Sequence, residues 1–180
     1  MEFYKFFFKD IKKYLVESLN FGYQQGELSS EQKWGVITLL PKPGVLERIT
    51  SLKNWRPISL LNMDYKFATK TIAAKIKKQL LNLMYPDQTG FLKRRYIGEN
   101  IRQILDAIET YEKWKEPGLI VNVDFDKAFD SIEWSYIISY MFKLLKYLNF
   151  GSSFVKWIKT FYSNITSCVL NNDYTSNYLL

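Results

Sequence analysis

The stretch "GLIVNVDFDKAFDSIEW", residues 118–134, restricts the fold more than any other part of the chain. Alternation along an extended segment puts Val121, Val123 and Phe125 on one face and Asn122, Asp124 and Asp126 on the other. The apolar face has to be covered. The acids fall at the segment's carboxyl end, where α/β sheets place their ligands. A strand over 119–125 in an α/β architecture is therefore expected.

Around it the periodicity is mostly helical. Phe7 or Phe8, Ile11, Leu15 and Leu19 predict a helix over 3–19. "WGVITLLPKPG" reads as a strand closed by a turn at Pro41, Pro43 and Gly44. "WRPISLL" is a second extended piece, in which Pro57 forbids helix and disfavours a central strand. From Asp64 a long helix follows, with Tyr65, Ala68, Ile72, Ile76, Leu80 and Leu83 as its apolar stripe. Lys66, Lys70, Lys77 and Lys78 sit off that stripe, and Pro86 closes the helix. "DQTGFLKRRYIGEN" is a loop with two glycines. Ile97, Ile101, Ile104, Leu105 and Ile108 mark a helix ending before Pro117-Gly118. Trp134, Ile137, Met141, Leu144 and Leu148 mark another, capped in the Asn149/Gly151 region. A shorter helix near 152–163 and a hairpin around Asn171-Asn172-Asp173 complete a helix-rich α/β (α+β) chain.

Composition narrows the chemistry. With 180 residues, 47% hydrophobic content, five Trp, thirteen Tyr and thirteen Phe, the chain collapses into a core and is not disordered. One cysteine, Cys168, excludes an internal disulfide framework and fits a reducing compartment. The absence of histidine excludes a zinc site. The start, "MEFYKFFFKDIKKYLV", carries Lys5, Lys9, Asp10, Lys12 and Lys13 with neither a clean apolar region nor a cleavage site. Nothing later approaches eighteen apolar residues in a row, so an intracellular protein, in cytoplasm or nucleus and without a membrane partner, is expected. The net charge of +7 is unevenly spread: residues 42–95 hold twelve Lys or Arg against three acids, a net of +9, and the remainder a net of −2. A one-sided basic block points to a polyanionic partner, nucleic acid before membrane, against the plainer reading of a solvated lysine surface.

For the three aspartates, a calcium loop fails because Ala128 and Phe129 stand at its fifth and sixth positions, where a ligand and a glycine are needed. Asp126 or Asp130 can cap the helix that begins near Ser131, a role without chemistry. Asp124, on a strand end, can hold Mg²⁺, a hard cation that takes carboxylate together with substrate phosphate. On the residues alone, capping and metal binding both stand.

"VDFDKAFDSIEW" resembles the first palm motif of reverse transcriptases, in the spelling of non-LTR (LINE-type) retrotransposons. "LLPKPG" (39–44), "NWRPISLLNMDYKFATKTIAAKI" (54–76) and "DQTGFLKRRYIGENI" (87–101) resemble that family's fingers and early-palm blocks, in the family's order. "FVKWIKTFYSNITSCVLNN" is similar to the stretch before its next motif, so the resemblance covers essentially the whole chain. It implies the right-hand polymerase fold, with an N-terminal helical extension over 1–30, a fingers-like region over 31–95 and a partial palm over 96–180. By the same resemblance Asp124 is the metal-binding, catalytic aspartate of a two-Mg²⁺ site, and Phe125 offers it a backbone group. Phe129 stacks under the incoming sugar, and Lys42 and Arg56 grip the triphosphate. Gln88, Gly90, Phe91, Lys93, Arg94 and Arg95 face the nucleic acid. The implied partners are an RNA template, a DNA primer and dNTP.

The family's second acidic source is an aromatic followed by x-Asp-Asp, and this sequence contains no Asp-Asp pair. After Asp130 its only acids are Glu133 and Asp173. The Arg-Gln-Gly block is absent as well, so the expectation is an inactive fragment of an RNA-directed DNA polymerase. The alternative is a non-catalytic RNA-binding module derived from one. A group II intron maturase shares the fold, but "RPISLLNMDYK" and "KAFDSIEW" favour the LINE-type spelling.

Overall fold

The computed structural model describes residues 2–44, 50–125 and 131–176. The chain divides into two compact units, one built from Met1–Ala73 with Gly151–Leu180 and the other from Ala74–Phe150.

The first unit begins with helices α1 (Glu2–Phe6) and α2 (Phe8–Gln25). Gly26, at φ +81°, ends α2 in the left-handed conformation that glycine adopts without a Cβ penalty. The short α3 (Ser30–Lys33) opens on a full capping box: Ser29 accepts from the Gln32 amide, and the Gln32 side chain accepts from the Ser29 amide. Strands β1 (Trp34–Pro41) and β2 (Trp55–Leu61) follow, the latter after a 3₁₀ turn at Leu52–Asn54. Helix α4 (Met63–Leu83) starts in this unit. Helix α7 (Ser152–Tyr162) and strands β3 (Thr166–Asn171) and β4 (Tyr174–Thr175) complete it.

The sheet order is β2-β1-β3-β4, with β1 antiparallel to β2 and parallel to β3. Pro57 opposes Leu39 on the edge strand β2. The Lys42 amide donates to the Asn54 carbonyl at 2.8 Å, which makes 42/54, 40/56 and 38/58 the hydrogen-bonded pairs of this ladder. Position 57 therefore turns its nitrogen away from β1, and the missing proline N–H breaks no bond. The expected hairpin is present as a two-residue turn. Asn172 (φ 47°) and Asp173 (φ 66°) both take the positive φ that a type I′ turn requires, between Asn171↔Tyr174.

The core of this unit lies where α4 and α7 meet the sheet: Ala68, Ile72, Ile158, Phe161 and Cys168 are buried, with Leu28 beneath α2. Tyr23 stacks on Trp157 at 4.7 Å and Trp157 lies against Phe161 at 5.5 Å, joining α2 to α7. The Tyr65 hydroxyl donates to the Phe161 carbonyl at 3.1 Å, and burial pushes its phenol up to about 12, so it stays a donor throughout the physiological range. Gly22 is required by close approach: a Cβ there would stand 2.7 Å from Leu28 Cδ2 and 3.1 Å from the Glu27 carbonyl oxygen.

The second unit holds the C-terminal part of α4, then α5 (Gly98–Trp114) and α6 (Trp134–Tyr147). Both later helices end in Schellman geometry without glycine. Lys115 (φ 57°) closes α5, with the Glu116 amide bonded to the Tyr111 carbonyl. Asn149 (φ 56°) closes α6, with the Phe150 amide bonded to the Leu145 carbonyl. The stripe predicted for α5 forms a helix, yet none of its residues is buried. The expected strand over 119–125 does not form. Residues 116–125 have irregular backbone and exposed side chains, Val121, Val123 and Phe125 among them. Alternation supplies the faces of a strand, but a strand also needs a neighbour's carbonyls and amides, and no described strand pairs with this segment. Among the described residues no helix is long and apolar enough to cross a membrane.

Replacing Phe161 by Ala removes the buried ring that packs α7 against Tyr65 of α4 and supports Trp157. We expect Phe161→Ala to lower unfolding free energy by about 3–5 kcal/mol, read from the midpoint of a urea transition followed by tryptophan fluorescence.

Candidate functional site

The two basic residues expected at a triphosphate come together at the far end of the β1–β2 ladder. Arg56 opposes Leu40 in the register, and Lys42 continues that register opposite Asn54. Positions two apart on one strand share a face, so Lys42 and Arg56 are diagonal cross-strand neighbours on the same side, at a spacing of about 7–8 Å between backbones. Arg56 is exposed and Lys42 half-buried, in a turn closed by Gly44 at φ +78°. The proline on each side of Lys42, together with Trp55 and Pro57 around Arg56, restricts the backbone that carries both cations. Arg contributes a planar fork and Lys a point charge, the two complementary ways of meeting phosphate oxygens.

The acidic segment is represented by Asp124 and Phe125, both exposed on the irregular stretch that follows α5. Phe129, Asp126 and Asp130 lie outside the described residues. Among those described, no group of three or more His, Cys, Asp or Glu could hold a metal ion. Asp124 is a hard oxygen donor of the right kind, but one carboxylate does not make a magnesium site, and the described residues do not by themselves fit a pair of ions.

The loop after α4 is the most constructed of the three places. Arg95 Nη2 donates to the Leu81 carbonyl at 3.3 Å and the Met84 carbonyl at 2.9 Å. Its Nη1 donates to the Gln88 carbonyl at 2.7 Å and to that of Tyr85. The last carbonyls of a helix have no intrahelical donor, and a cation there also opposes the negative end of the helix dipole. Arg95 thus fastens the loop to the end of α4, and its fork faces protein carbonyls. The sequence run "LKRR" does not distinguish it from its neighbours. The signal lies in its placement just past a helix that ends without a glycine cap. Asn100 adds a second tie, donating from Nδ2 to the Asp87 carbonyl at 3.0 Å.

Held in this way, the loop turns its other members outward. Gln88 is exposed, and its Nε2 reaches the Gly90 carbonyl at 3.4 Å. A Cβ on Gly90 would meet only that Nε2, at 3.8 Å, so the space over this glycine is open. Phe91 and Arg94 sit at φ 62° and 71°, and Phe91 stands wholly in solvent. A left-handed conformation costs a non-glycine residue about 1–2 kcal/mol, and burying an aromatic ring would ordinarily return far more. Phe91 buries nothing. Lys93 and Arg94 are exposed beside it.

A family model described as "Reverse transcriptase (RNA-dependent DNA polymerase)" matches residues 40–179. That span contains the β1–β2 tip, the loop after α4 and the acidic segment. The chain is also similar to "Transposon TX1 uncharacterized 149 kDa protein" of Xenopus laevis, with 33% identity over 172 residues, which is 96% of this chain. The chain spans 13% of the length of that relative.

If Arg95 is the fastening described, Arg95→Ala should free residues 84–94 while leaving the first unit folded. Trypsin is expected to cleave after Lys93 and Arg94 faster in the variant than in the wild type. Arg95→Lys should behave like Arg95→Ala, because an ammonium cannot span four carbonyls.

Proposed function

The chain belongs to the reverse transcriptase (RNA-dependent DNA polymerase) family, and on that premise we propose that it is the nucleotide- and template-holding portion of a LINE-type reverse transcriptase domain. The family's fold is of the right-hand polymerase type, and its members are nucleotidyl transferases that use divalent metal, an RNA template, a primer and dNTP. Similarity to a transposon protein, 33% identical over 96% of the chain, supports the mobile-element lineage. In the proposal residues 31–95 serve as fingers-like region and 96–180 as partial palm, behind a helical extension over 1–30. The protein acts inside the cell, in cytoplasm or nucleus, with Mg²⁺ as its metal.

The observation that carries the reading is the shared face of Lys42 and Arg56. Two cations on neighbouring strands, fixed by ladder register and flanking prolines, form a ready clamp for a polyphosphate. In the proposal Asp124 is the metal-binding carboxylate, Phe125 offers it a backbone group, and Phe129 is the residue that stacks under the incoming sugar. Gln88, Gly90, Phe91, Lys93 and Arg94 lie along the template. Arg95 positions them through α4.

The 180-residue polypeptide carries one of the two acidic sources that the chemistry requires, since it has no Asp-Asp pair. Losing a single electrostatic stabiliser of a transition state costs about 3–4 kcal/mol, and a missing acidic pair costs at least as much. The polypeptide by itself is therefore inactive in strand synthesis. Primer extension on an RNA template with Mg²⁺ and dNTPs should give no template-dependent product. Extension abolished by Asp124→Ala would contradict this.

A second reading, an RNA-binding module without nucleotide binding, is favoured by the basic loop and tested by the same clamp. dNTP with Mg²⁺ should slow amide hydrogen exchange over the β1–β2 tip. Lys42→Ala or Arg56→Ala should weaken that protection about tenfold, the value of one charge-assisted hydrogen bond. RNA affinity with no response of the tip to dNTP would establish the binding module instead.

A further inference from the structure

Helix α4 has a second face that its apolar stripe does not use. Ala74, Lys77, Lys78 and Leu81 recur at i, i+3, i+4 and i+7, one side of the helix, apart from the stripe through Ile72 and Ile76. With Phe91, Lys93 and Arg94 these residues line a groove of about 650 Å³ between the helix and the loop that Arg95 fastens to it. Four of the lining side chains are cationic and none is acidic. Among the described residues Lys77, Lys78, Lys93 and Arg94 take part in no ion pair.

We propose that Lys77 and Lys78 form the second wall of a groove that takes the phosphodiester backbone of a single-stranded nucleic acid. This rests on the reading of the 88–94 loop as template-facing and extends it to two helix cations, Lys77 and Lys78, that lie outside the motif blocks. Four uncompensated cations around one concavity repel one another, and an anion with repeated charges relieves the repulsion at several points together. Two walls of positive charge suit a strand that runs between them. Phe91 decides between single strand and duplex. A fully solvent-exposed ring at the groove's rim, in a backbone conformation that costs energy, offers its face to a base, and only an unpaired base has a free face to stack on it. A membrane would call for a broader apolar surface around the cations than one ring provides.

The test is binding of a short fluorescent single-stranded RNA of mixed sequence to the whole chain, followed by anisotropy across a range of KCl concentrations. Lys77→Ala with Lys78→Ala should weaken binding about tenfold at fixed salt. It should also lower the slope of log K against log salt by about 1.4, two phosphates at about 0.7 each on a single strand. Lys77→Arg with Lys78→Arg should keep both values. Phe91→Leu should weaken binding with the slope unchanged. Failure of the α4 pair to alter affinity or slope, while Lys93→Ala with Arg94→Ala lowers both, would overturn the second wall and leave the loop reading standing. Failure of both pairs would overturn the loop reading and the groove together. Equal affinity for a duplex of the same sequence, or displacement of the RNA by inorganic phosphate at matched ionic strength, would reduce the groove to an unselective anion site.

Discussion

The hydrogen-bonded ladder along β1 is the constraint on which the sheet unit depends. One eight-residue strand is paired on one side to a segment about twenty residues away and on the other to a segment more than a hundred residues downstream. The parallel β1–β3 pair brings the end of the described chain back beside its beginning. Cys168 is thereby placed opposite Val36, in the core, where its thiol is a small apolar filler. The antiparallel pair sets parity. Because Arg56 stands directly opposite Leu40, two residues from Lys42, Arg56 and Lys42 share a side, and a slip of one residue would send them to opposite faces of the sheet. The pairing of Lys42 with Arg56 on one face is thus a consequence of backbone register before it is a matter of side-chain chemistry.

The fold was legible where local signals carry their own partners. A helix satisfies its backbone within itself, so the stripes of α4, α5 and α6 predicted those elements closely, and the shorter helix near 152–163 is present as α7. The hairpin at Asn172-Asp173 was readable for a similar reason, since two residues that tolerate positive φ define their turn locally. The segment 119–125 has the alternation of a strand and no described partner, and alternation says nothing of who supplies the other half of the ladder. Among the described residues nothing covers its apolar side chains, and Val121, Val123 and Phe125 stay exposed.

The candidate site was legible in part, and the divide is physical. Lys42, Arg56 and the 88–95 loop were marked by residue type inside ordered blocks. Which of three consecutive basic residues faces protein was not marked, because that depends on where α4 ends in space and which carbonyls it leaves bare. The basic face of α4 was visible only as lysines off the stripe. Their grouping with Lys93 and Arg94 follows from the loop's fold, and that fold is fixed by Arg95. One arginine turned inward thus determines where the charges of its neighbours point.

Pro57 carries a consequence beyond its own strand. β2 is an outer strand whose side chains Ile58, Leu60 and Leu61 are exposed, a combination that invites a second chain to dock edge to edge. An incoming strand would need donors at the outward-facing amide positions of β2, and Pro57 leaves a gap in that row near its start. Sheet growth across this edge is interrupted at the end where Lys42 and Arg56 stand. The residue that restricts the backbone beside Arg56 therefore also removes one donor from an apolar sheet edge that a second chain would need to pair with.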